Sequence, residues 1–549
     1  MALQFIFGAS GAGKSHYIYS RIIRESMEHP RETYLILVPE QFTMQTQKEL
    51  VSMHPRKGIM NIDVLSFERL AFRVLEEVGA SCSGLLEETG KSMVLRKVAQ
   101  EKKKELKILG NKMDRQGYVS QMKSMVSELR QYEIMPEDLE EIRQELKDRP
   151  ELYYKMQDIQ TLYQGFFAYL EGKFITQEEV LDVMGDLVHR SEKLKGSTLV
   201  LDGYTGFTPV QLKALGKLLS VCADVFVTVT LAPGEDPYQL GSPHRLFYLS
   251  KQTVHRLCKL AKETGISWEE YWITEKERQG RFAQNPPLAY LEKHIFRYGS
   301  RPYTRLGKDP AEGEKGRHQH SVFIQACLNP GEEMEEIAAR IRSLVRREGY
   351  RYRDFAVITG DMEVYAPAAG RAFAKYGIPC FLDQKQSLLL NPFVEYIRAS
   401  VDMAVENFSY ESVFRMLRCG LADVEEEALD RLENYVIARG IRGLAKWQEE
   451  WVRSYRGEDP QEVVELNQVK AGLLENWLPF AQAMKAKDAS VRDYARALYE
   501  YIAGGRIQEK LKQLEEQFAR EGDLSRQKEY SQIYPLVMDL LDKLVDILG

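Results

Sequence analysis

The sequence predicts an α/β protein with two lobes of mostly parallel sheet and crossover helices, and three observations carry that expectation. The loop Gly8-Ala9-Ser10-Gly11-Ala12-Gly13-Lys14-Ser15 fits GxxxxGK(S/T), follows the apolar run Leu3 to Phe7 and precedes the helix-like HYIYSRIIRESM. Apolar runs at Tyr34 to Val38, Met60 to Leu65, Leu199 to Leu201 and Val225 to Leu231 alternate with helical segments. Beyond a stretch rich in Gly, Pro and charge, a second strand–helix series begins without a second glycine loop.

Residues 1–79 form the first part of the first lobe. The glycines let backbone N–H groups curl around phosphate oxygens, and the following helix N-terminus adds positive potential. Gly8 to Ser15 is therefore the expected ATP site, with Lys14 on the β and γ phosphates and the Ser15 hydroxyl on Mg2+. Residues 80–195 read as helical throughout, including SQMKSMVSELRQY and LYYKMQDIQTLYQGFFAYL, an insertion that splits the sheet. Within it, Lys91 to Lys112 carries eight Lys/Arg against Glu101 and Glu105, which reads better as a solvated helix face than as a nucleic-acid patch.

Residues 196–295 return to the first lobe. The run Thr198-Leu199-Val200-Leu201 ends in Asp202, the expected second group for Mg2+. A helicase-type ATPase usually sets a Glu beside that carboxylate to activate water, and here the neighbour is Gly203. No catalytic residue is assigned. Residues 296–320 are expected to be a linker, and 321–405 the first part of a second lobe: strand SVFIQAC, helix GEEMEEIAARIRSLVRREG, strand DFAVIT, a helix and strand IPCFL. Residues 406–549 read as an incomplete helical domain. Leu382-Asp383-Gln384-Lys385 has the form of a nuclease-motif tail, but its upstream acidic partner is missing.

A chain of 549 residues predicts three or four domains, and 44% hydrophobic with 28% charged residues is ordinary for a globular protein. The net charge of -6 excludes a uniformly basic nucleic-acid coat and leaves room for a local patch. Cysteines at 82, 222, 258, 327, 380 and 419 have no metal-ligand spacing and read as buried thiols of a reducing compartment. The longest apolar run, LLSVCADVFVTVTLA, is interrupted by Asp224 and too short to span a bilayer, and LQFIF is short for a signal peptide. The expectation is a cytoplasmic protein with no membrane partner.

Six strings, GASGAGKS, LVPEQFTMQTQKEL, VLSFERLAFRV, LDGYTGFTP, GEEMEEIAARIRSLVRREGYRYRDFAVI and LENYVIARGIRG, together resemble the AddB-type subunit of the bacterial ATP-dependent helicase/deoxyribonuclease, through the whole chain. The resemblance implies two RecA-like lobes in the superfamily 1 helicase architecture. It also implies a heterodimer with an AddA-type helicase-nuclease subunit, acting on double-strand DNA ends for recombinational repair. In that family this half is not the motor. It binds nucleotide, threads the 3′ single strand and reads the Chi hotspot. Gly203, and Gly360 with Asp361 where active relatives commonly carry an Arg, agree with that division of labour. The nuclease and a [4Fe-4S] cluster are implied C-terminal to the region present here. The alternative is an active superfamily 1 DNA-dependent ATPase.

By motif, the resemblance implies DNA-reading roles for Gln41 and Thr43, for Phe67, Arg69 and Phe72, and for Phe207, with Glu40 beside them. Family members can carry Trp at the position of Phe72. Independently, SFERLAFRVLEEVG predicts a helix with Ser66 as N-cap and Gly79 beyond its end. Phe67, Leu70, Ala71 and Val74 form its core stripe, leaving Arg69, Phe72, Arg73 and Glu76 opposite, where an aromatic between arginines suits stacking and phosphate contact. Periodicity leaves Phe67 open between core and DNA. Gln41 and Thr43 serve equally well as turn or cap residues, and Phe207, in a Gly/Thr loop, has less reason to be buried.

Overall fold

The computed structural model describes residues 2–80, 84–273, 282, 285–297, 299, 322–382, 387–453 and 460–549. It divides into two compact units, Met1–Phe323 and Ile324–Gly549.

The first unit is built on a six-stranded sheet. In chain order its elements are β1 (Ala2–Gly8), α1 (Lys14–Glu28), β2 (Tyr34–Leu37), α2 (Thr43–Met53), β3 (Ile62–Leu65) and α3 (Phe67–Val78). There follow β4 (Leu85–Leu86), α4 (Glu88–Glu101), α5 (Gln116–Gln131), α6 (Asp138–Glu145), α7 (Pro150–Leu170), β5 (Ile175–Thr176) and α8 (Gln177–Leu187). The chain then re-enters the sheet with β6 (Thr198–Leu201), α9 (Pro209–Leu219), β7 (Asp224–Thr230), α10 (Tyr248–Glu263) and β8 (Trp268–Trp272). The sheet order is β3-β2-β6-β7-β1-β8, with every pair parallel, while β4 and β5 make a separate parallel pair. Trp268–Trp272 is not an apolar run, because Glu269 and Glu270 interrupt it, yet it forms the edge strand beside β1.

Alternation along the strands separates two cores. Phe5, Phe7, Leu35, Leu37, Leu199 and Leu201 face the layer of α3, α8, α9 and α10, while Ile6, Ile36 and Val200 face Ile18, Ile22 and Leu50 of α1 and α2. Such double-sided burial is why these strands read as short continuous apolar runs. Helix α3 is bounded as its sequence predicts: the Ser66 side chain accepts the Arg69 N–H, and Gly79 ends it with φ 69°. A left-handed C-terminal residue is the ordinary role of glycine there.

In the second unit, α12 (Pro330–Glu348) and α13 (Met362–Tyr376), which come after α11 (Pro286–His294), pack on each other through Met334, Ala338, Ala369 and Phe373. Among the described residues, eight helices between 392 and 548 enclose a separate core that includes Trp447, Trp451 and Trp477. The strands expected in this half do not form: no described residue after Trp272 belongs to a strand. Ile324, Ile358 and Phe381, from the three apolar segments concerned, are 98%, 94% and 87% exposed. A strand is held by its ladder of hydrogen bonds, so apolar sequence without a neighbouring strand makes none.

The linker expected over 296–320 lies, apart from 296, 297 and 299, outside the described residues, as do Asp383 to Lys385 and Cys82. Of the other cysteines, Cys222 and Cys258 are buried, whereas Cys380 is exposed, which corrects the expectation that all are buried thiols. Among the described residues no helix is long and apolar enough to cross a membrane.

Candidate nucleotide site and the groove beside it

Parallel strands open all their loops on one edge, and ligands of such sheets bind at the carboxyl ends. Here that edge carries the glycine loop after β1 and the loops after β3, β2 and β6. In the glycine loop, Gly11 and Gly13 have φ 70° and 94°, conformations that side chains rarely adopt. A Cβ on Gly8 would stand 3.2 Å from both the Ala12 Cβ and the Lys14 Cγ. Helix α1 starts at Lys14 with Gly13 as a cap that supplies no side-chain acceptor, so its first N–H groups are directed into the loop as an anion cradle. The Lys14 Nζ donates to the carbonyl oxygens of Gly8 and Ala9, 3.0 Å each, folding the ammonium across the loop.

Asp202 follows β6 and is 5% exposed. Its Oδ2 accepts the Tyr19 hydroxyl at 2.6 Å and its Oδ1 accepts the Thr228 hydroxyl at 2.5 Å. Tyr19 lies on α1 and Thr228 on β7, the strand between β6 and β1, so three elements converge on this carboxylate. Burial, then the charge of Asp202, pushes the Tyr19 phenol well above its ordinary range, keeping it a donor. Gly203 has φ 77°, and a Cβ there would meet the Pro39 Cδ at 3.7 Å. Among the described residues no group of three His, Cys, Asp or Glu side chains is arranged to hold a metal ion.

Because β3, β2 and β6 are adjacent, three loops that are distant in sequence meet in a groove of about 540 Å3 lined by Glu40, Gln41, Phe42, Phe67, Glu68 and Tyr204, among others. Gln41 is exposed in a 3-10 turn, Glu40–Phe42. Thr43 is buried, its hydroxyl donating to the Glu40 carbonyl at 2.9 Å. Phe67 and Phe207 are both buried and pack with Tyr204, ring centroids 5.5 and 5.1 Å from it. The exposure expected for Phe207 is therefore corrected: its loop turns back over α3 and seats the ring in the core. Burial, then the charge of Glu40, raises the Tyr204 phenol above its ordinary value.

Arg69 is exposed and pairs with Glu40 at 2.9 Å. Arg73 pairs with Asp63 at 2.8 Å, and Phe72 is half-buried against the core. The carboxylates of Glu40 and Glu68 make the groove a poor track for phosphates and suit it to groups that donate hydrogen bonds. Sequence reasoning missed Tyr204, Glu68 and Gln211, which also lines the groove. It also misread Lys91, which is 1% exposed and donates to Glu178, Glu88 and Ser127 beneath an adjoining cavity, instead of lying on a solvated face.

A family model described as ADDB, N-terminal matches residues 5–292. Over its whole length the chain is 41% identical to a protein of Lachnoclostridium phytofermentans named as the B-type subunit of ATP-dependent helicase/deoxyribonuclease, of which it covers 47%. It is 33% identical to the protein of that name from Caldanaerobacter subterraneus subsp. tengcongensis and 30% identical to that from Acetivibrio thermocellus, each over the whole chain and 47% of the relative. The chain spans about half the length of the curated relatives it matches.

Proposed function

The chain belongs to the ADDB N-terminal family, and on that premise we propose that it is the ATP-binding, DNA-binding, non-motor half of one subunit of a heterodimeric helicase/nuclease. The assembly processes double-strand DNA ends for recombinational repair with an AddA-type partner and reads the Chi hotspot. The relatives' name, which makes each of them one subunit of a helicase/deoxyribonuclease, supports the assembly. The nuclease and its [4Fe-4S] cluster belong to the half of the relatives' length that this chain does not span. The segments at 322–327, 355–359 and 378–382 are, in this reading, strands of a second RecA-like lobe that pair with strands from that other half, which accounts for their exposed apolar side chains.

The observation that carries the non-motor reading is Gly203. A complete GxxxxGK(S/T) loop opens α1, yet the position beside Asp202 holds a residue with no side chain in a left-handed conformation. Gly8 to Ser15 and Lys14 bind the phosphates, Ser15 is the hydroxyl available to Mg2+, and Gly203 leaves no carboxylate beside Asp202 to activate water. The groove between the loops after β3, β2 and β6 receives bases, not phosphates: Gln41 and the carboxylates accept from exocyclic amines, while exposed Arg69, paired with Glu40, flanks it and Phe72 lies further along α3.

The experiment is to measure ATP binding and DNA-stimulated hydrolysis by the chain and by Lys14→Ala. Binding that depends on Lys14 without robust hydrolysis is the expected result. Robust hydrolysis lost on Lys14→Ala would establish the active-ATPase alternative instead.

A further inference from the structure

We propose that Tyr19 and Thr228 retain Asp202 as an internal hydrogen-bond acceptor, so that the glycine loop binds ATP with little dependence on a divalent cation. This rests on the reading of Gly8 to Ser15 as a nucleotide site and departs from the expectation that Asp202 serves Mg2+.

As it stands the carboxylate is committed to protein donors, with one lone pair of each oxygen taken. Both oxygens accept short hydroxyl hydrogen bonds, one from the helix that follows the glycine loop and one from the strand between β6 and β1. Hydroxyl donors to a carboxylate at such distances are among the strong hydrogen bonds of proteins. Tyr19 stands four residues beyond Ser15, on the same face of α1, so the face of the helix that begins at the phosphate loop is the one that reaches the buried carboxylate. Tyr19 is itself buried with Thr46 beside its hydroxyl, so it cannot swing into solvent to release the acid. Tyr19 is thus a positioning residue: with Thr228 it holds the acid between the helix and the sheet, turned toward protein donors.

The test is titration of the chain with ATP in Mg2+ and in EDTA, for the wild type, Tyr19→Phe, Asp202→Asn and Lys14→Ala, with circular dichroism as a check of folding. The wild-type Kd is expected to change by less than about threefold on removing Mg2+, and Tyr19→Phe, which frees one carboxylate oxygen, to become at least about tenfold dependent on it. Asp202→Asn keeps an acceptor for one hydroxyl and removes the charge, so it is expected to bind MgATP within about threefold of the wild type. Should Tyr19→Phe fail to fold, Asp202→Asn decides. A wild type that loses about tenfold or more of its ATP affinity in EDTA, or an Asp202→Asn variant that loses as much in Mg2+, overturns the proposal. Absence of Lys14-dependent binding in either buffer has a different meaning: the loop is then no nucleotide site, and the underlying reading falls with it.

Discussion

Replacing Gly203 by Glu restores the residue type that helicase ATPases use to activate water, and we expect it to leave hydrolysis absent. The reason is geometric. At φ 77° an L-residue incurs about 1–2 kcal/mol of left-handed strain. Loss of glycine's freedom in the unfolded chain returns about 0.4–1 kcal/mol, leaving a net destabilisation near 1 kcal/mol. The new Cβ meets the Pro39 Cδ at 3.7 Å, so it fits without a clash. Its direction, set by the left-handed backbone at residue 203, is toward Pro39 at the end of β2, however, and not toward the glycine loop after β1. The carboxylate would therefore enter the groove beside Glu40, away from the phosphates. Two assays decide it: thermal unfolding, expected to fall by about 2 °C, and DNA-stimulated phosphate release, expected to stay at background. A gain of hydrolysis that a second change, Lys14→Ala, abolishes would refute this account of the site.

Further outcomes are expected at Phe67, Arg69 and Lys91. Phe67→Ala empties a buried site packed against Tyr204 and Phe207 and should cost about 3–5 kcal/mol in denaturant unfolding, whereas Arg69→Ala removes an exposed ion pair worth about 0–1 kcal/mol and should instead abolish hotspot response in the assembled complex while unwinding of DNA persists. Lys91→Met leaves Glu178, 9% exposed, without its cation and should destabilise the first unit by about 3–5 kcal/mol; adding Glu178→Gln should recover part of that loss, and a single-variant shift below about 1 kcal/mol in urea would contradict the buried-pair reading.

Much of the fold was legible because its signals are local. The apolar runs that become β1, β2, β6 and β7 are continuous because each strand is covered on both faces, and Ser66 with Gly79 bounds α3 by hydrogen bonds and backbone angles that involve only its own neighbours. The same local logic misled in the second unit. SVFIQAC, DFAVIT and IPCFL have strand composition, but pairing is a property of two segments, and no partner strand lies beside them among the described residues.

The candidate site divides along the same line. The glycine loop, the helix it opens and the absence of a carboxylate at Gly203 are determined by consecutive residues, so they stand in the sequence whatever the rest of the chain does. That Asp202 lies between Tyr19 and Thr228, that Phe207 is buried beside Phe67, and that Lys91 is enclosed by Glu88 and Glu178 are decided by which strands and helices become neighbours. Those pairs are separated by 26 to 183 residues, Glu88 excepted, and sheet order and helix packing alone bring them within hydrogen-bond or van der Waals reach.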